Sequence, residues 1–183
     1  MKQKLVLIAI VFFGIAGCKQ NNKETKITET KVITSEEQKE ASDAIAFEIY
    51  DFNGVKQFLE KKDGKTYVVN FWATWCAPCV KELPYFEKLN VEYANKQVEV
   101  ILISLDFPHT YEAKLKPFIK NRGIKSKVVV LDDPDMNTWI PKVSEYWSGA
   151  IPATLIYNND IRKFYEQSFN YEELEEKLNL FIN

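Results

Sequence analysis

Apolar and polar positions divide the chain into three stretches of different character. Leu5 to Ile15 is a nearly unbroken apolar run behind Lys2 and Lys4. Residues 19–44 (KQNNKETKITETKVITSEEQKEASDA) are polar and contain no aromatic side chain. From Ile45 the pattern changes, and strand-like and helix-like segments alternate. Ala46 to Tyr50 predicts a short strand, and Val55 to Lys61 a helix closing at the turn signal Asp63-Gly64. Tyr67 to Trp72 (YVVNFW) and Val98 to Leu105 (VEVILISL) read as strands buried on both faces. A helix is expected from Cys76 to about Ala94, another over residues 111–121, and a third strand over Val128 to Leu131. Residues 135–147 predict a helix interrupted at Pro141. Ala153 to Tyr157 and Ile161 to Glu166 flank Asn158-Asn159-Asp160, a hairpin turn signal, and Tyr171 to Phe181 predicts a closing amphipathic helix. Such an order predicts the α/β class, with a central mixed β-sheet flanked by helices on both faces. There is no internal repeat.

Composition adds limits. With 46% hydrophobic residues the 183-residue chain can bury one real core and still carry an extension. A net charge of −2 without a basic run leaves no electrostatic footprint for nucleic acid. Three cysteines are an odd number, so one of them differs in role from a disulfide pair.

The N-terminal stretch accounts for the odd one. A short positive region, an apolar run and the small residues Ala16 and Gly17 have the layout of a secretory signal peptide. Ile15-Ala16-Gly17-Cys18 resembles the lipobox of bacterial lipoproteins, which implies cleavage before Cys18 and a lipid on its thiol, a stable anchor when two or three acyl chains are present. The competing readings are an uncleaved anchor or an ordinary signal peptide with a chance cysteine. Residues 19–44 cannot bury enough apolar surface to offset their ordering entropy and read as a flexible tether. A solvated helix in their Glu/Lys-rich second half is the alternative. The expected division is 1–17 signal peptide, 18–44 lipidated cysteine and tether, and 45–183 one folded domain.

Candidate chemistry lies in Phe71-Trp72-Ala73-Thr74-Trp75-Cys76-Ala77-Pro78-Cys79. A C-x-x-C opening a helix places Cys76 where unpaired backbone N–H groups and the helix dipole favour an anion, and a thiolate is the nucleophile of disulfide exchange. Cys79, one turn further in, can attack a mixed disulfide at Cys76 and release the product. Pro78 is tolerated because first-turn N–H groups lack helical partners. Two other uses of C-x-x-C compete. A four-ligand zinc site needs a second pair, and the only histidine, His109, stands alone. An inert structural disulfide gains little from closing so short a loop. No metal and no cofactor beyond the cysteine pair is expected.

Val69 to Cys79, with Pro84 following, resembles the active-site segment of thioredoxin. Gly149-Ala150-Ile151-Pro152-Ala153-Thr154 resembles that family's second signature, a loop ending in a cis-proline that faces the cysteines. The resemblance covers roughly residues 45–183 and implies the thioredoxin fold. It further implies that the backbone of Ile151 is offered to a substrate peptide. A trans-proline at the start of an edge strand is the alternative for Pro152. Asn70 stands where thioredoxin has a buried aspartate. Asn-Phe-Trp-Ala-Thr-Trp-Cys-x-Pro-Cys followed by x-x-Glu-x-Pro resembles the membrane-anchored extracytoplasmic reductases of the TlpA and ResA type. That resemblance implies for Glu82 a buried carboxyl with a raised pKa that exchanges a proton with Cys79. The competing reading is an exposed glutamate near a helix start.

Trp75 reads as an apolar platform beside Cys76, with Ala77, Pro78, Ile151 and Pro152 as the other substrate-binding candidates. Trp72, on the other side of its strand by period 2, is assigned to packing, as are Trp139 and Trp147, and His109 to a solvated loop. A copper carrier resembling the Sco family would need C-x-x-x-C. A thiol peroxidase would carry a proline ahead of its cysteine in P-x-x-x-[TS]-x-x-C, and none stands there. The reading reached is a thiol–disulfide oxidoreductase, lipid-anchored on the extracytoplasmic side of a bacterial membrane. It is expected to reduce exported cysteine-containing proteins and to draw electrons from a membrane thiol carrier. Cytochrome c maturation is one destination the resemblance suggests. A disulfide-forming oxidase and a non-catalytic binding module for exported polypeptides are the alternatives.

Overall fold

A computed structural model describes residues 47–182. The readings of residues 1–17 as a signal peptide, of Cys18 as a lipidation site and of residues 18–44 as a tether lie outside the described residues.

Six strands form one sheet in the order β1-β4-β3-β2-β5-β6: β1 Glu48–Tyr50, β2 Thr66–Trp72, β3 Val98–Ser104, β4 Lys127–Leu131, β5 Ala153–Tyr157 and β6 Arg162–Tyr165. The first four are mutually parallel, whereas β5 runs antiparallel to β2 and β6 antiparallel to β5. β2 lies inside the sheet between β3 and β5, and all seven of its residues are buried, the reason its apolar run is unbroken. The β5–β6 hairpin is closed by Asn158, whose side-chain oxygen accepts from the backbone N–H of Asp160 and Ile161 at 2.9 and 2.8 Å.

Side-chain alternation along the strands feeds two apolar clusters, one on each face. Val68, Trp72, Val100, Leu102 and Ile156 meet α2 (Ala77–Glu92), α3 (Lys116–Arg122) and α5 (Tyr171–Ile182). Tyr67, Val69, Phe71, Ile101, Ile103 and Leu155 meet α1 (Phe52–Val55) and α4 (Met136–Val143). The expected mixed sheet with helices on both faces is therefore the one observed. α2 buries Cys79, Glu82, Leu83, Phe86 and Leu89, the spacing of one helical face, and runs on past Pro84.

Two local expectations are corrected and a third is refined. The helix predicted over Val55–Lys61 begins earlier, at Phe52, because the Asp51 side chain accepts from Gly54 N at 2.9 Å and caps it there; a 3₁₀ turn over Lys56–Phe58 ends it. The helix expected over residues 111–121 is present, its first part a π-helix at Tyr111–Leu115 that runs into α3. Pro141 does not break α4, which ends two residues later at Val143, where Ser144 turns extended.

Candidate active site

The C-terminal end of β2 and the start of α2 carry the cysteines. Cys76 is extended (φ −90°, ψ 100°) and caps α2, its N–H donating to Ala73 O at 3.1 Å and its carbonyl accepting from Val80 N at 3.0 Å. Cys76 and Cys79 form a disulfide with Cα atoms 5.3 Å apart, and Cys79 N lies 3.3 Å from Cys76 Sγ. A thiolate on Cys76 would receive that N–H and the helix dipole. Cys76 keeps 6% exposure and Cys79 none, so one sulfur is at the rim and its partner is sealed beneath.

The loop before β5 closes the other side. The Ile151–Pro152 peptide bond is cis, and the Ile151 carbonyl oxygen stands 3.6 Å from Cys76 Sγ. Gly149, at φ +94°, supplies a left-handed turn that an L side chain rarely adopts. Trp147 Nε1 donates to Ala150 O at 2.8 Å. Glu166, at the end of β6, accepts from Ser148 N at 3.0 Å, from Ala150 N at 3.3 Å and from the Ser148 hydroxyl.

Glu82 is fully buried three residues after Cys79. It accepts from Asn70 Nδ2 at 2.9 Å, Ser168 Oγ at 3.0 Å and Phe169 N at 2.8 Å. Burial pushes its carboxyl above the usual carboxylate value, while the Phe169, Ser168 and Asn70 donors pull the other way. The exposed-glutamate alternative is thereby set aside. Asn70 Nδ2 also reaches Thr154 Oγ1 at 3.1 Å, and Asn70 Oδ1 is buried without a partner.

The structure thus brings together Cys76, Cys79 and Ile151, with Pro152 buried behind and Ala77 and Pro78 exposed on the first turn of α2. Trp75 is 55% exposed beside them. Trp72 is indeed packing, but it shares the cluster of Cys76 and Cys79 and lies against Phe118.

Sequence reasoning missed the groups that hold the site's loops. Asp106, 2% exposed after β3, accepts from Thr74 N at 3.0 Å, Thr74 Oγ1 at 2.5 Å and Ser104 Oγ at 2.9 Å. An aspartate following a buried strand was the available signal; its partner, 32 residues away, left no pattern. Glu166, Ser148 and Trp147 were likewise not singled out as loop anchors. Among the described residues no group of three or more His, Cys, Asp or Glu side chains could hold a metal ion, and no helix is long and apolar enough to cross a membrane.

Comparison with known proteins places this geometry in a family. The pattern defining the AhpC/TSA family matches residues 41–162. ResA, a thiol-disulfide oxidoreductase of Bacillus thuringiensis subsp. konkukian, is 37% identical over 150 residues, which are 81% of this chain and 80% of that protein. The chain belongs to the AhpC/TSA family, with the ResA-type thiol–disulfide oxidoreductases. ResA of a Bacillus cereus strain is 34% identical over 114 residues, 62% of this chain and 61% of that protein. A thiol:disulfide interchange protein of the thioredoxin family from Chlorobium tepidum TLS superposes with a TM-score of 0.55 at 19% identity, over 70% of this chain and 85% of that one. The fold is thioredoxin-like, as the two sequence signatures implied.

Proposed function

We propose that the chain is a reductase of disulfides in exported proteins, tethered to the extracytoplasmic face of a bacterial membrane by a lipid on Cys18. The observation that carries the catalytic part is the asymmetry of the pair: Cys76 caps a helix at the rim, and Cys79 is sealed. The Cys76 thiolate attacks one sulfur of the substrate disulfide. A mixed disulfide forms and the first substrate thiolate leaves. Cys79, its proton passed to Glu82, attacks Cys76 Sγ, forming the Cys76–Cys79 disulfide and releasing the second substrate thiolate. Two electrons have passed to the substrate, and a membrane dithiol carrier returns them in the same chemistry reversed. Glu82 suits the proton step because burial has raised its affinity for a proton. Trp75, Ala77, Pro78 and the Ile151 backbone receive the substrate chain, and Pro152 closes the groove behind them. Apocytochrome thiols on the path to cytochrome c are one substrate the TlpA- and ResA-type resemblance suggests.

Tethering and direction are tested separately. Palmitate labelling of cells expressing the full chain should mark the wild type and not Cys18→Ala. Equilibration of the Cys76/Cys79 couple in defined thiol buffers should give a potential near about −270 mV, whereas about −120 mV would make the protein a disulfide donor. Cys76→Ala should abolish turnover and the cellular role. A variant that kept that role would be a binding module instead.

A further inference from the structure

The end of β2, the loop after β3 and the loop before β5 meet around Cys76. Trp75 adjoins it, Phe107 stacks on Trp75, and the Ile151 carbonyl touches its sulfur. The rim is aromatic. Trp75 and Phe107 are 55% and 54% exposed, and their rings lie 6.1 Å apart at 16° to one another. His109 continues the stack at 5.8 Å and 11°. The ledge is held from below, because Asp106, next to Phe107, is locked to Thr74, next to Trp75.

We infer that the Phe107–His109 loop is a second wall of the substrate site. With Trp75 it forms a ledge that takes an aromatic or branched aliphatic side chain flanking the target cysteine. The inference rests on the reading of the chain as a reductase of protein disulfides. The occupant follows from position and chemistry. The ledge starts at the residue beside the attacking cysteine. In an extended peptide a side chain one or two residues from its cysteine lies about 3–7 Å along the strand, within ring-stacking reach of such a ledge. A flanking apolar side chain gains from covering these exposed rings, a gain that a small polar side chain such as Ser does not make.

The test is steady-state reduction of two disulfide-linked peptides that differ only in the residue after the cysteine, Phe in one and Ser in the other. The wild type should prefer the Phe peptide about tenfold in kcat/KM, the gain residing in KM. Phe107→Ser should bring that preference to about twofold or less, and Phe107→Tyr should restore it. Val91→Ser, at an exposed apolar position on α2 outside the ledge, should keep the tenfold preference. Equal turnover of both peptides by the wild type would overturn the ledge and leave the reductase reading standing, as would a preference that survives Phe107→Ser. If the wild type reduces neither peptide, the reductase reading itself falls, and the ledge with it.

Discussion

The loops on the two sides of the disulfide are held by the same chemistry in different surroundings. On one side Asp106 takes both the backbone N–H and the hydroxyl of Thr74, with the Ser104 hydroxyl as a third donor. On the other, Glu166 takes both the backbone N–H and the hydroxyl of Ser148, with Ala150 N as a third. Asp106 is buried under the end of β3, and Glu166 is exposed at the end of β6. An acceptor that water cannot replace leaves its donors stranded when it is lost, whereas an exposed one hands them back to solvent. The buried clamp should therefore fix the segment leading to Cys76 more firmly than the exposed clamp fixes the cis-proline loop.

Five measurements bear on that difference. Asp106→Ala deprives three donors of their acceptor and should cost about 3 kcal/mol or more in urea unfolding of the oxidised protein. A loss under about 1 kcal/mol would break the comparison at its strong end. Glu82 is a third carboxylate with three neutral donors, buried like Asp106, and its pKa is raised by burial. Above the ordinary value of 4.5 the native state keeps a proton that the unfolded chain has released. Wild-type stability should then fall, relative to Glu82→Gln, as pH rises through the native value. Thr74→Val removes one donor from the buried clamp and should cost about 1 kcal/mol, with coupling to Asp106→Asn that a double-mutant cycle detects. Glu166→Gln should change stability by no more than about 0.5 kcal/mol, an effect that salt reduces further. The Ser148 hydroxyl and N–H hold the Glu166 carboxyl below its usual value. That clamp is consequently present above the ordinary carboxylate value and lost as pH falls through the lower native one, which the Ser148 and Ala150 amide resonances should report.

The redox pair, the helix it opens and the proline opposite it were legible because each is a local signal. C-x-x-C after a buried strand and Ile151-Pro152 before another need only a few neighbouring residues to be read. The mixed sheet with helices on both faces was legible through the alternation of strands and helices and the Asn158 turn, whereas the strand order was not. The clamps were not, because hydrogen bonds join Thr74 to Asp106 and Phe169 to Glu82 across 32 and 87 residues, and such pairs have no period. The start of α1 was misjudged because a single cap at Asp51 outweighed the pattern downstream. His109 reads as a solvated loop residue, and only the folded chain stacks Phe107 on Trp75 and His109 on Phe107.

Asn70 has a consequence for assembly of the sheet. It sits opposite Thr154 in β5 and beside Leu102 in β3, its side chain toward Glu82. A one-residue slip of β2 would turn Asn70 to the opposite face, among Phe58, Trp139 and Trp147, and set an apolar side chain against the Glu82 carboxyl. Stranding the amide alone would cost about 1–3 kcal/mol, while the all-apolar neighbours of Asn70 in β2 would discriminate little between alignments. The group that steadies the buried carboxyl thus also acts as the pin that aligns the central strand, and correct alignment is checked by the same contacts that complete the site.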